Sequence, residues 1–252
     1  MKENKQRINS LGRGLRILDI LHEKGKVGVT ELSKLIGVNK SSSYRLLATL
    51  EEFGYVEQIY ENGKYALGLK LSKFQEKVLS AYEIRVTARP FLERLAETTG
   101  EASGLSIFKN DEVVLIDCCK SPQHIGVNLY MGDCEDINCT AHGKAMLFAL
   151  PEDKQRQLLE REFVRFTPNT IIDKDAIIAD AKVNKERGYA LDNEEKTLGM
   201  RCVAANVYDY SKAVVAAIGI SGPTTRVHNE KMPELIKNVT KIAEQLSKKL
   251  GY

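Results

Sequence analysis

Apolar residues in the first seventy positions recur with a helical period three times and then with a period of two. Leu15, Ile17, Leu18, Ile20 and Leu21 form the first run after Gly14, and Gly25 closes it. Thr30 reads as the N-cap of a second, short helix with Leu32, Leu35 and Ile36 inward and Gly37 at its end. Asn39 reads as the cap of a third helix, which runs from Lys40 to about Phe53 with Leu46, Leu47 and Leu50 inward and stops at Gly54. Residues 55–59 and 64–67 then alternate as strands around Glu61-Asn62-Gly63, a hairpin signal. Three short helices followed by a hairpin are the outline of a winged helix-turn-helix.

Residues 69–88 return to a helical pattern and read as a linker helix, and Pro90 reads as the first turn of a further helix ending at Gly100. Strands are expected over 102–108 and 113–117, about the turn 109–112, and over 126–130, 202–208 and 213–221. Helices are expected over 140–150, 151–160, 173–187 and 230–250. Antiparallel hairpins mixed with helices point to an α+β chain whose second part holds one sheet flanked by helices. The expected domains are a DNA-binding domain over 1–70, a linker helix over 71–88 and a third region over 89–252.

Length agrees with this division, since 252 residues are enough for about two domains. No apolar run reaches the ~18 residues of a membrane span. The polar, basic start Met1 to Gln6 lacks a secretory apolar stretch, so a cytoplasmic protein without a membrane partner is expected. Cys118, Cys119, Cys134, Cys139 and Cys202 are an odd set, read as free thiols rather than a disulfide framework. Residues 1–75 hold 13 Lys and Arg against 8 Asp and Glu, whereas the rest hold 24 against 26. The basic surplus thus lies wholly in the N-terminal part, where a polyanion would be bound by phosphate neutralisation.

In a helix-turn-helix the second helix of the motif enters the major groove N-terminus first. Here that end reads Asn39-Lys40-Ser41-Ser42-Ser43-Tyr44-Arg45, poor core material but suited to a groove. Small hydroxyls donate to phosphates or base edges, and Arg45 has the reach and the fork to pair bidentately with guanine. Lys64 on the hairpin is a wing contact to the backbone in this reading.

The chain resembles the IclR family of bacterial transcription regulators over nearly its whole length. The blocks that carry the resemblance include Gly14-Leu15-Arg16-Ile17-Leu18, Ser41-Ser42-Ser43-Tyr44-Arg45-Leu46-Leu47, Gly54-Tyr55-Val56, Thr140-Ala141-His142-Gly143-Lys144-Ala145, Asp192-Asn193-Glu194-Glu195 and Ile220-Ser221-Gly222-Pro223. It implies a winged helix-turn-helix, a linker helix and a C-terminal effector-binding domain of GAF-like fold. It also implies ligand-controlled transcription, more often repression, by homodimers or dimers of dimers on a palindromic, double-stranded DNA operator. The effector it implies is a small organic acid at the start of the helix near Thr140, met by the amides of Ala141 and His142, with Asp192, Cys202 and Ser221 as polar pocket groups. Gly219 stands where the family often has Ser; its lack of a side chain is expected to enlarge the site, toward a larger acid, a sugar acid or an aromatic acid.

Two other chemistries are weighed on the same residues. Cys134, Cys139 and His142 form a C-x4-C-x2-H pattern which, with Cys202, offers ligands for zinc in a metal-binding variant of the regulator. Cys202 as nucleophile, His142 as base and Asp192 as orienting group would make a thiol enzyme, but the chain has no Gly-rich phosphate loop or nucleophile elbow. The expectation is a regulator with no cofactor and no catalytic residues.

Overall fold

A computed structural model describes residues 8–59, 63–80 and 82–252, and the chain divides into two compact units at about residue 81. The first unit holds α1 (Asn9–Lys24), α2 (Val29–Leu35), α3 (Lys40–Glu52), β1 (Val56–Gln58) and β2 (Tyr65–Leu67). Ile17, Leu21, Leu32, Leu47, Val56 and Tyr65 meet in its core. β1 and β2 pair antiparallel; Glu61 and Asn62 of the expected turn lie outside the described residues. This is the expected helix-helix-helix-hairpin order.

Local signals set most of its boundaries. Asn39 caps α3, its side chain accepting from Ser42 N at 2.8 Å. Thr30 does not cap α2. The helix opens two residues earlier, with Gly28 extended and accepting from Leu32 N at 3.0 Å. The cause is tertiary: Val27 is bonded to Tyr65 in both directions, 3.0 and 2.8 Å, which holds the chain extended up to Gly28.

After β2 the chain makes a 3-10 turn (Leu69–Leu71), α4 (Ser72–Ser80) and α5 (Glu83–Thr99). The helix expected over 69–88 is therefore divided, and Pro90 sits inside α5 rather than opening a helix. The missing N–H of Pro90 is tolerated there because the face of α5 that carries Leu92 and Leu95 is fully buried.

The second unit continues with β3 (Ala102–Lys109), β4 (Glu112–Cys119), β5 (Cys134–Glu135), α6 (Ala141–Ala149), α7 (Glu152–Leu158), α8 (Lys174–Arg187), β6 (Ala190–Asn193), β7 (Met200–Tyr208), β8 (Val214–Pro223) and α9 (Met232–Lys249). Six strands form one antiparallel sheet in the order β5-β4-β3-β8-β7-β6. Asn110 and Asp111 adopt φ of 53° and 68° in the β3–β4 turn, a conformation these two residue types tolerate. α5 and α9 cover one face, with Ser103 donating to Leu92 O at 2.8 Å. α6 covers the other, where Asn206 donates to Ala145 O at 2.8 Å, and α8 packs on α6. Residues 126–130 do not form the expected strand. The free edge of β4 pairs with residues 134 and 135 instead, and the segment before them is held by Arg226 donating to Ile125 O at 2.9 Å.

Candidate functional site

The exposed face of α3 is narrower than the run 39–45. Lys40, Ser41, Tyr44 and Arg45 are exposed and Ser42 is half-buried. Ser43 is fully buried, with an unbonded hydroxyl, because it lies one helical turn before the core residue Leu47. It is thus removed from the groove-facing set. The Asn39 side chain is engaged in the cap, and Lys64 is exposed. Beside this face, Leu11 and Leu15 of α1 stand exposed and line a groove with Arg45, Leu46 and Thr49.

In the second unit, strand register brings three of the expected residues into one row. Asp192 on β6 lies opposite Cys202 on β7, which lies opposite Ser221 on β8. Directly opposite residues point to the same face, here the face under α6. The row two residues on is made of Ala190, Ala204, Gly219 and Gly104, and the His142 ring lies over Gly104. All six expected effector residues are buried.

Thr140 opens α6. Its hydroxyl accepts from Gly143 N at 3.0 Å and donates to Asp136 O at 2.9 Å, so the side chain is committed to the cap. Helical bonding begins with Lys144 N to Thr140 O at 2.9 Å, which leaves the Ala141 and His142 amides ahead of the first such bond. The His142 ring is engaged as well. Nε2 lies 3.1 Å from Gly104 O and Nδ1 lies 3.9 Å from a Glu135 carboxylate oxygen.

Burial governs the electrostatics. Asp192 is pushed up to about 6 by burial, against the hydrogen bond its Oδ1 accepts from Glu195 N at 2.8 Å. Its other oxygen, Oδ2, is buried with no hydrogen-bond partner among the described residues. Burial raises the Cys202 thiol well above its ordinary range, and the neighbouring Asp192 raises it further. Cys139 is pushed up to about 12, first by burial and then by Asp136. Beside this row Lys144 is buried between Glu195, at 2.8 and 3.0 Å, and Asp180, at 3.1 Å.

Both alternative chemistries fail on this geometry. Among the described residues no three of His, Cys, Asp and Glu are placed to hold a metal, and Cys134 is exposed on β5 with Glu112 as its neighbour. A thiol held in its neutral form by burial and an adjacent carboxylate is a poor nucleophile, and the proposed base, His142, is bonded to a backbone carbonyl instead. Gly219 also departs from expectation. A Cβ there would lie 2.4 Å from Val203 O and 2.8 Å from the Ala204 side chain, so its bareness admits the neighbouring strand rather than a larger ligand.

Lys144, Glu195 and Glu135 were not singled out by sequence pattern. A lysine within an otherwise apolar helix was the available signal for the first two. Glu135 carried none, because the two-residue strand β5 has no period to read.

Residues 10–59 match the family described as IclR helix-turn-helix domain, and residues 76–248 match Bacterial transcriptional regulator IclR C-terminal. The chain is 34% identical over 247 residues to the HTH-type transcriptional regulator XynR of Escherichia coli, covering 97% of this chain and 98% of that protein. It is 31% identical to the acetate operon repressor of Salmonella typhimurium, over 97% of this chain and 90% of that one. The crystal structure of the Thermotoga maritima IclR superposes with a TM-score of 0.71 at 32% identity, over 98% of this chain and 100% of that one.

Proposed function

The chain belongs to the IclR family of bacterial transcription regulators, and from that premise we propose that it is a repressor released from its operator by a small carboxylic acid. It is a DNA-binding regulator and not an enzyme, as its relatives are. The acetate operon repressor and the transcriptional repressor IclR of E. coli, 31% and 30% identical, support the negative sign. Two copies reading a palindromic operator follow from the two-fold symmetry such regulators share with their sites. The exposed apolar residues Leu11 and Leu15 on α1, with Ile8 just before it, support self-association of that unit.

One observation carries the effector reading: Asp192, Cys202 and Ser221 stand in one buried row under the open end of α6, and Asp192 Oδ2 there lacks a partner. A ligand carboxylate would be met by the Ala141 and His142 amides and the positive end of the helix. Its hydroxyl or acid proton would satisfy Asp192. On α3, Lys40, Ser41, Ser42, Tyr44 and Arg45 meet the DNA, with Lys64 on the wing and Asn39 in support.

The test is fluorescence anisotropy of the full-length protein on DNA from its own upstream region, with and without a panel of small carboxylic acids. Asp192→Ala and Ser221→Ala are expected to keep operator affinity and lose the acid response. Release of both variants by the same acids as the wild type would overturn the pocket assignment.

A further inference from the structure

The end of α6 away from Thr140 borders a separate groove of about 460 Å³. Nine helical residues separate the two ends, ~13 Å at 1.5 Å rise per residue. The floor is apolar and comes from four elements: Phe108 of β3, Met146 and Phe148 of α6, Tyr208 of β7 and Val214 of β8. Two lysines stand on the rim, Lys185 in the last turn of α8 and Lys212 in the β7–β8 turn.

Neither side-chain ammonium has an ion pair or hydrogen bond among the described residues. Some lysines elsewhere in this unit find acids, as Lys154 does with Asp111, Lys196 with Asp136 and Lys248 with Glu244. The acid nearest Lys212 in sequence is already committed. Asp209 accepts from Ser211 N at 2.9 Å, Ser211 Oγ at 2.7 Å and Ala213 N at 3.2 Å, bonds that build the turn itself. A smaller adjoining cavity shares Phe148 and Lys185 and adds Arg156 and Lys182, with Glu152 as the acid on its wall. The groove thus combines a concave apolar floor with a rim of two exposed lysines that make no ion pair, the two features that favour an amphiphilic anion.

We propose that this groove is a second ligand site, for a small anion with an apolar body. An alkyl or aryl carboxylate fits it: the tail lies on Phe148 and Tyr208, and the carboxylate is held by Lys185 and Lys212. Burial of the tail supplies the driving force, and the charge-assisted bonds to the lysines supply selectivity for the anion. The site stands apart from the Asp192 row and does not depend on the effector reading.

Octanoate is the probe, titrated into the full-length protein by calorimetry at fixed ionic strength, up to about 5 mM. Saturable binding is expected, with a rise in Tm. Lys185→Glu/Lys212→Glu is expected to weaken it about tenfold or more, and uncharged octanol to bind more weakly by a similar factor. Val214→Trp, which fills the groove, is expected to abolish it, and Asp192→Ala to leave it unchanged. Both lysines are exposed, so the charge-reversed variant keeps the fold and decides the matter even where the Trp variant does not fold. No saturable binding to the wild type, equal binding of octanol, or loss in Asp192→Ala with retention in the charge-reversed variant would each overturn the proposal.

Discussion

The two units build their candidate sites in opposite ways. In the first, most of the residues proposed to face DNA are neighbours in sequence on one helix, and Lys40, Ser41, Tyr44 and Arg45 are exposed. In the second, the residues proposed to meet the effector come from three strands and the start of a helix, are spread over positions 140–221, and are buried. A helix displays a surface through its own period, so local sequence suffices. A row across a sheet exists only when every strand holds its register, because a slip of one residue turns each side chain to the other face. Mutations should therefore act differently: in the first unit they should change binding with little cost in stability, and in the second the two should be coupled.

The largest expected effect breaks the second unit at its buried ion cluster. Lys144→Met leaves Glu195 and Asp180 without their cation, and loss of one partner of a buried pair costs about 3–5 kcal/mol. Lys144→Met/Glu195→Met is expected to recover much of that loss, since apolar residues of similar volume replace such pairs at little net cost. Urea denaturation of the full-length protein reads both. A double variant as unstable as Lys144→Met alone would mean that the cluster holds α6 to the 194–196 turn by geometry rather than by charge.

Asp192 comes next. Its carboxyl titrates near 6 in the folded protein, above its ordinary value. Between about pH 4 and 6 the folded state therefore holds a proton that the unfolded chain has released, and stability falls as pH rises through that window. Asp192→Asn is always neutral. It is expected to match the wild type below about pH 4 and to exceed it above pH 6, by about 3 kcal/mol at most. Thermal melts across that range measure the difference, and parallel curves for the two proteins would show that Asp192 is not destabilised by burial.

Elements set by local signals are legible in the sequence, and those set by a distant partner are not. Asn39 was legible as a cap, and its side chain accepts the expected backbone N–H, whereas Asp173, read as the first residue of its helix, is in fact the cap. Gly100 and Gly188 were legible as helix ends for the same reason, and both take the left-handed conformation. Thr30 failed as a cap because Tyr65, thirty-five positions away, fixes Val27. The strand over 126–130 failed because the edge of β4 is filled by residues 134 and 135. The identities of Asp192, Cys202 and Ser221 came from family likeness alone, as did the direction of Gly219's effect, which the strand contact then reversed. Ser43 shows the limit of composition: three serines in a row look alike, and only the helical phase set by Leu47 separates the buried one.

That distinction can be tested on α3. Arg45→Ala is expected to weaken specific operator binding by about 1–3 kcal/mol, roughly fivefold to 150-fold, and to reduce the salt dependence. Ser43→Ala removes a buried hydroxyl that has no partner, so operator affinity is expected to stay the same and stability to hold or rise slightly. Anisotropy titrations at two salt concentrations measure both. Equal losses in the two variants would mean that the helix acts through its packing and not through an exposed face.

The smallest effect is the most discriminating, because Asn39 sits where the local and the functional coincide. Its side chain closes the first turn of α3, and the same turn is the end proposed to enter the groove. Asn39→Ala is expected to cost about 1 kcal/mol of stability through the lost cap. Asn39→Ser restores a capping oxygen, so its stability is expected to match the wild type within a few tenths of a kcal/mol. Operator affinity then separates the roles. If Asn39→Ser binds as the wild type does while Asn39→Ala is weakened, the residue serves DNA binding only by ordering the helix end. If both are weakened equally while the Ser variant is as stable as the wild type, the Asn39 amide itself meets the DNA, and the first unit's site begins one residue before the helix.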